Sequence, residues 1–553
     1  MSHGGSSGSL LAEEDMEELR GAAAEFYRQS GVVRELEEAL DQLFRRRPRD
    51  LHGFLADYFD KLSAPPLISR LKGREVYDAR GQLCIEAEVF CVVRNTEKSV
   101  SSAAVSCCLD PKTTSADSED EERTEHVTTA AQWINGPLSN MLKDRSPCDQ
   151  SEVDQVLSDF FMTRCLEEKE MMIHSPSMEE ESSPSSPPAQ DKDKKIRDKG
   201  KKNNTVEKPF PPAEPPEPVL HGSTAIGSVS LAVAKAGAEL QRIPLYDHIA
   251  ALKSHQVGDN QERFHIPVSL VTLICCGRTS PGKLNLLEEV ILVPKPGQPV
   301  IQTVTMTLQL QKEMMRIMTA TRAGAVQAVE SVRGAPAVSS ERPEQLLDLI
   351  GEACSNLQLQ LGTDAHLALN CAAHKLLDYS KGKYEVAAGV LKSPDELVDL
   401  YQTLLHRHPA VVALIDPFRR EDKEQWEKLS SAVGNACSLI SDVTNVSQLP
   451  VGGKGCIVKL VHETTISDLI RISSQPGSVM LGLTQSEPCS DASLSDLAVG
   501  LGLDYIKLGG LHGAERMTKY NRLISIEEEL AQRGILVNKD KHSPPFPGAV
   551  LHS

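Results

Sequence analysis

Long apolar runs are missing from this chain. None approaches the 18 or more residues that a membrane-spanning helix requires, so a helical membrane protein is not expected. The first twenty residues, MSHGGSSGSLLAEEDMEELR, contain neither a basic stretch nor an apolar stretch of the secretory kind, which predicts a cytoplasmic protein. Aromatic residues are scarce, at 4% with two tryptophans. Together with 33 prolines, this implies that part of the length does not pack into a core. A cysteine pair spaced C-x-x-C is absent too, so a zinc ribbon is excluded. The 13 cysteines, an odd number mostly in apolar surroundings, read as reduced, buried thiols. Positive charge is also in deficit. With 59 basic against 77 acidic residues the formal charge is −18, which argues against general binding to nucleic acid or an anionic membrane.

What is present divides into segments, since 553 residues exceed one ordinary domain. Residues 1–13 read as a disordered tail. From 14 to 65 apolar residues recur at helical spacing in two blocks, Val33 to Phe44 and Leu51 to Leu62, separated by Arg47-Pro48-Arg49-Asp50 with Asp50 placed to cap the second helix. Two such helices cannot bury both apolar faces alone, which predicts a dimeric four-helix bundle. Residues 66–164 read as a small α+β domain with a strand in GQLCIEAEVFCVVR and a helix around TTAAQWINGPLSNML. Residues 165–219, acidic, Ser/Pro-rich and then lysine-rich, read as a disordered insertion, and residues 220–264 complete the small domain. From 265 to 530, eight β-rich runs alternate irregularly with helical stretches: IPVSLVTLI, EEVILVP, HLALN, VVALID, CSLISD, CIVKL, SVMLGL and YIKLGG. The length suits an irregular eight-stranded α/β barrel, whose chemistry gathers where the strands end. Residues 531–553 read as a flexible tail.

The strand ends are polar: Glu288 and Glu289, Asn370, Asp416, Asp442, Lys459, Thr484 and Gln485, and Lys507. Two lysines inside apolar runs, Lys459 and Lys507, stand out because an ammonium is almost never buried without a partner. A phosphate or carboxylate ligand between them is one such partner; a structural carboxylate, or snorkelling to solvent, is the other.

Motifs in order then resemble the enolase family: GREVYDARGQLCIEAEV, SPCDQSEVDQVL, GSTAIGSVSLAVAKAGA, GKLNLLEEVILVP, GKYEV, ALIDPFRRED, CIVKLV, DLAVGLGLDYIKLGG and ERMTKYNRLISIEEEL, spread over 66–164 and 220–530. The resemblance implies reversible dehydration of 2-phosphoglycerate to phosphoenolpyruvate in glycolysis, with Mg²⁺ as cofactor. It assigns proton abstraction to Lys459, substrate binding to Lys507 and Ser486, and the acid that aids departure of the hydroxyl to Glu289, or to Glu288 under a shifted alignment. It makes Asp442 a metal carboxylate and Asn370 a weak neutral ligand. The second and third metal carboxylates of the family fall at Asn370 and Ile415, so the metal site reads as degraded and activity as weak. Glu421 or Asp422 could repair it by reaching in from the loop. The family's loop histidine falls at Thr279 and its His-Arg-Ser run at Thr484-Gln485-Ser486. Separately, residues 14–62 resemble the docking-and-dimerisation segment of cyclic-AMP-dependent kinase regulatory subunits. That implies a homodimer, a partner such as an amphipathic anchoring helix or a cytoskeletal protein, a flagellar or ciliary setting, and the alternative of a catalytically weak or inactive scaffold.

Overall fold

The computed structural model describes residues 7–105, 116–174, 219–258, 263–278, 280–321, 329–330, 333–442, 449–460, 462–475, 477–484, 487–488 and 491–546. Most of the expected insertion, residues 175–218, lies outside them. The chain forms two compact units, residues 1–66 with 93–96, and the remainder.

The first unit is helical. Helix α1 (Ser7–Ser30) begins inside the stretch expected as a disordered tail. Gly31, at φ +69°, separates it from α2 (Val32–Arg46), which ends where Arg47 turns left-handed. Asp50 caps α3 (Leu51–Leu62) by accepting from the Gly53 amide at 2.9 Å, as its position predicts. The apolar stripes of α2 and α3 remain largely uncovered: Leu40 is 58% exposed and Phe44 70%.

Next in the chain comes a three-stranded sheet, β1 (Leu67–Tyr77), β2 (Leu83–Val93) and β3 (Thr96–Val105), in that order, which belongs to the second unit apart from Val93 and Thr96. Helices α4 (Ala116–Trp133), α5 (Gln150–His174), α6 (Thr224–Gln241) and α7 (Leu245–Val257) follow. Helix α5 ends at His174, ten residues past 164, the expected end of this part of the small domain. Helix α6 is buried nearly all round, and Gly227 lets it approach the loop after the strand that bears Lys459. A Cβ at Gly227 would lie 2.7 Å from the His462 carbonyl oxygen, which instead accepts the Gly227 amide at 3.0 Å.

The barrel strands are β4 (Val268–Cys275), β5 (Glu289–Pro294), β6 (Ala365–Asn370), β7 (Val411–Ile415), β8 (Ser438–Asp442), β9 (Gly455–Lys459), β10 (Ser478–Gly482) and β11 (Tyr505–Gly509). They pair in chain order and close β11 onto β4. Seven run parallel, whereas β5 is antiparallel to both of its neighbours. Alternate residues, including Leu270, Ile291, Val293, Ala368, Ala413, Ile415, Ile440, Ile457 and Met480, form one apolar cluster with Tyr505 and Phe546. A second cluster lies between the strands and the outer helices, of which α8 (Val300–Thr321) is the longest between β5 and β6.

The expected flexible tail is corrected over residues 535–546. Phe546 is buried against Tyr505, ring centroids 4.6 Å apart, and the Pro545 carbonyl accepts from the Ser438 hydroxyl. The Ser543 carbonyl accepts from the Tyr505 hydroxyl at 2.8 Å. An apolar side chain here closes the barrel core. Among the described residues no helix is long and apolar enough to cross a membrane.

Three imidazoles meet beside α6. His126 of α4 is fully buried with neither ring nitrogen hydrogen-bonded, and the rings of His221 and His462 lie 6.0 and 5.8 Å away. Burial, then the nearby His462, His221 and Arg123, push His126 down to about 3. Between that value and the ordinary 6.5, the unfolded chain binds a proton that the folded chain refuses, so stability falls as pH is lowered. His126 should contribute a slope of about 1.4 kcal/mol per pH unit below 6.5. His248 and His542, pushed down to about 4 chiefly by burial, act in the same direction. Urea midpoints measured from pH 7 to 4 should therefore decline, and His126→Leu should flatten the decline; an identical slope in the variant would exclude this origin.

Candidate active site

The antiparallel course of β5 sets the geometry. Its first residue, Glu289, lies level with the last residues of its neighbours, opposite Asn370 of β6 and Cys275 of β4. Glu289 thus stands at the same mouth as the ends of the parallel strands. It is buried, and its Oε1 accepts from Asn370 Nδ2 at 2.6 Å, Lys507 Nζ at 3.1 Å and the Arg333 guanidinium. Its Oε2 accepts from the Thr272 hydroxyl at 2.7 Å. Glu288 points elsewhere, to Arg333 and to Lys375 Nζ at 2.9 Å. Of the two alignments, Glu289 is the glutamate that reaches Lys507.

The two lysines occupy one level. Lys459 is paired with Gly482, and Gly482 with Lys507, so a single strand separates them and offers no side chain. A Cβ at Gly482 would lie 2.5 Å from Ile457 Cγ2, so the core below also demands glycine. Lys459 Nζ lies 2.8 Å from Asp442 Oδ1. Lys507 acts electrostatically on both Glu289 and Asp442, which ties the lysines into one charge cluster.

Burial alone would raise the Glu289 carboxyl, but Arg333 and then Lys507 hold it well below the ordinary carboxylate range. These cations favour its ionised form. Asp442 is likewise lowered, the cost of burial being outweighed by Lys459 and then Lys507. Asp416 goes the other way: burial, then Asp442, push it up to about 7. Its backbone is left-handed, φ +46°, and its Oδ1 accepts from the Asp442 amide at 3.0 Å and the Ser441 hydroxyl at 3.2 Å.

Arg333 was not singled out by the sequence. It lies in an irregular turn between the helix α8 and β6, where VRGAPA shows no period. The turn is held by its own carbonyl, which accepts from the Gly510 amide at 2.9 Å, and by Gly334 at φ +72°. A lone arginine beside glycine, in a segment without strand or helix pattern, was the only signal available.

The donor set does not fit a divalent metal held as the family holds it. Asn370 spends its amide nitrogen on Glu289, leaving one buried neutral oxygen, Oδ1, without a hydrogen bond. Ile415 is fully buried in the barrel core and has no donor atom. Asp442, the remaining carboxylate, is taken up by Lys459. Asp422 does not repair the site: it is buried, accepting from the Tyr384 hydroxyl and from Arg419 Nε at 3.0 Å. Among the described residues no group of three His, Cys, Asp or Glu is placed to hold a metal ion. Magnesium wants near-octahedral oxygen, usually including carboxylate; Glu289 and Asp442 are taken up by cations, and Asp416 accepts from the Ser441 hydroxyl and the Asp442 amide. Ser486, Gln485 and Thr279 lie outside the described residues. Thr484 turns to Glu487, its hydroxyl donating at 2.8 Å.

A closed barrel with one antiparallel strand, bearing two lysines and a buried glutamate at its mouth, defines an α/β-barrel protein whose charged groups gather where the strands end. The family model described as "Enolase, C-terminal TIM barrel domain" matches residues 263–544. The chain is 46% identical to Enolase 4 of Danio rerio over 550 residues, which is 95% of this chain and 94% of the relative. It is 42% identical to Enolase 4 of Xenopus laevis, covering 96% of this chain and 95% of that one. With Enolase 4 of Homo sapiens it shares 40% identity over 98% of this chain and 93% of the relative. The chain belongs to the enolase family.

Proposed function

We propose that the chain is a carbon–oxygen lyase of the phosphopyruvate hydratase type with low turnover, interconverting 2-phosphoglycerate and phosphoenolpyruvate. The observation that carries this reading is the level placement of Lys459 and Lys507 on either side of Gly482. Lys459 Nζ removes the proton next to the substrate carboxylate, and the C–H electron pair moves into that carboxylate. The pair then returns to form the carbon–carbon double bond as the bond to the hydroxyl breaks. Hydroxide leaves and takes its proton from solvent, since Glu289 is held ionised. Lys507 binds the substrate anion. Low turnover follows from two features. An ordinary lysine is neutral in roughly one molecule in 2,500 at pH 7, and a carboxylate 2.8 Å from Lys459 favours the protonated form. The test is the full-length protein with 2-phosphoglycerate, followed by the ultraviolet absorbance of the enolpyruvate product. A slow, enzyme-proportional rise is expected; a flat trace at micromolar protein over hours would end the proposal.

A second reading is favoured by the exposed apolar stripe on α2 and α3. In it, residues 14–62 dock on a second copy of themselves, burying Leu36, Leu40 and Phe44, and the barrel serves as the scaffold of a larger cytoskeletal assembly. Light scattering of the full chain should give a dimer, and Leu40→Glu with Phe44→Glu should lower the mass. A parent that runs as a monomer, or a variant of unchanged mass, would count against it.

A further inference from the structure

Three carboxylates at the barrel mouth are each matched by a fixed cation. Glu289 is held by Arg333 and Lys507, Glu288 by Arg333 and Lys375, and Asp442 by Lys459. The positions from which negative charge would hold a metal are Asn370, which is neutral, and Ile415, which is apolar. Four cations, Arg333, Lys375, Lys459 and Lys507, hold these three carboxylates, and Asp416, which accepts from the Ser441 hydroxyl and the Asp442 amide, is the other carboxylate described at these strand ends. The excess of cations over the carboxylates they hold favours an entering anion over a divalent cation. The cations are reachable: the side chains of Arg333, Lys459 and Lys375 are 21%, 26% and 44% exposed, whereas Glu289 is 1% exposed beneath them.

We infer that this mouth binds a phosphorylated carboxylate without any divalent cation, Arg333 supplying the positive charge that the family draws from its metal. The inference rests on the proposed substrate reading and goes beyond it. A guanidinium keeps its charge at every accessible pH, and its planar fork suits carboxylate and phosphate. Its two bonds to Glu288 and Glu289 fix it at the rim. Arg333 is on this account a binding residue, working beside Lys507 and Lys459.

Calorimetric titration of the full chain with 2-phosphoglycerate, in EDTA and again in millimolar MgCl₂, tests this. The Kd should agree within twofold between the two buffers. Arg333→Gln should weaken binding at least tenfold in EDTA. Because that change strips a buried glutamate of its partner, Arg333→Gln is also made together with Glu289→Gln, and both variants are checked for native near-ultraviolet circular dichroism. Lys375→Ala, at an accessible position, should weaken binding severalfold without disturbing the core. Binding that tightens more than tenfold with Mg²⁺ would overturn metal independence while leaving the substrate reading standing. Unchanged affinity in both folded arginine variants would overturn the role of Arg333. Absence of binding in both buffers would overturn the substrate reading itself, and the inference with it.

Discussion

Lys459→Ala should lower the conversion of 2-phosphoglycerate by two to four orders of magnitude, the range that a positioned proton-transfer group contributes. The loss should fall on kcat, with KM changing less than about threefold, because Lys507 remains to bind the substrate anion. Lys507→Ala should show the opposite emphasis and raise KM. A second readout separates proton abstraction from general damage: exchange of the substrate α-proton into deuterated water should stop in Lys459→Ala while circular dichroism stays native. The amine is positioned for this by β9, where Lys459 closes the strand at the level of Lys507, and by Asp442, 2.8 Å away at the end of β8. Turnover within threefold of the parent would remove Lys459 from the chemistry.

Glu289→Ala should destabilise the fold by about 3–5 kcal/mol, the usual consequence of breaking a buried ion pair from one side. Glu289 is 1% exposed, and its removal takes a carboxylate from Lys507, itself 11% exposed, and from Arg333. The Thr272 hydroxyl and the Asn370 amide lose their acceptor as well. Glu288→Ala, nearer to solvent, should cost far less. The sign of the pH dependence follows from the lowered Glu289 carboxyl. Its contribution is complete above the ordinary 4.5 and is lost only as pH falls toward the depressed folded value, so parent and variant should converge in strong acid. Urea unfolding at pH 7 measures the difference, and a shift below about 1 kcal/mol would show that the cluster is not a buried one.

Much of the fold was legible because core packing leaves a period. The eight β-rich runs became the eight barrel strands within a residue or two, since apolar residues facing the barrel interior and the helices make each run continuous. Asp50 as a cap was legible from residue type alone. Lys459 and Lys507 were legible as ammonium groups in runs that had no other reason to hold a charge. Less legible were the extents of irregular or weakly patterned segments. Helix α1 starts at Ser7 within polar residues, and the segment ending at Phe546 packs on the barrel core although its composition resembles a tail. The metal-site substitutions at Asn370 and Ile415 could be read directly, yet what replaced the metal could not, because Arg333 has no sequence neighbourhood that points to Glu289.

The amino-acid sequence alone determined the number and place of the barrel strands, the family, and the two lysines, since hydrophobic period and residue chemistry are local properties. Only the tertiary structure decided the direction of β5, which carries Glu289 to the mouth, and the arrival there of Arg333 from an unpatterned turn. Alternation along a strand tells which side is buried but not which way the neighbouring strand runs. An ion pair between residues 44 positions apart, with Arg333 on one side and Glu289 on the other, forms only when the closed barrel brings them together.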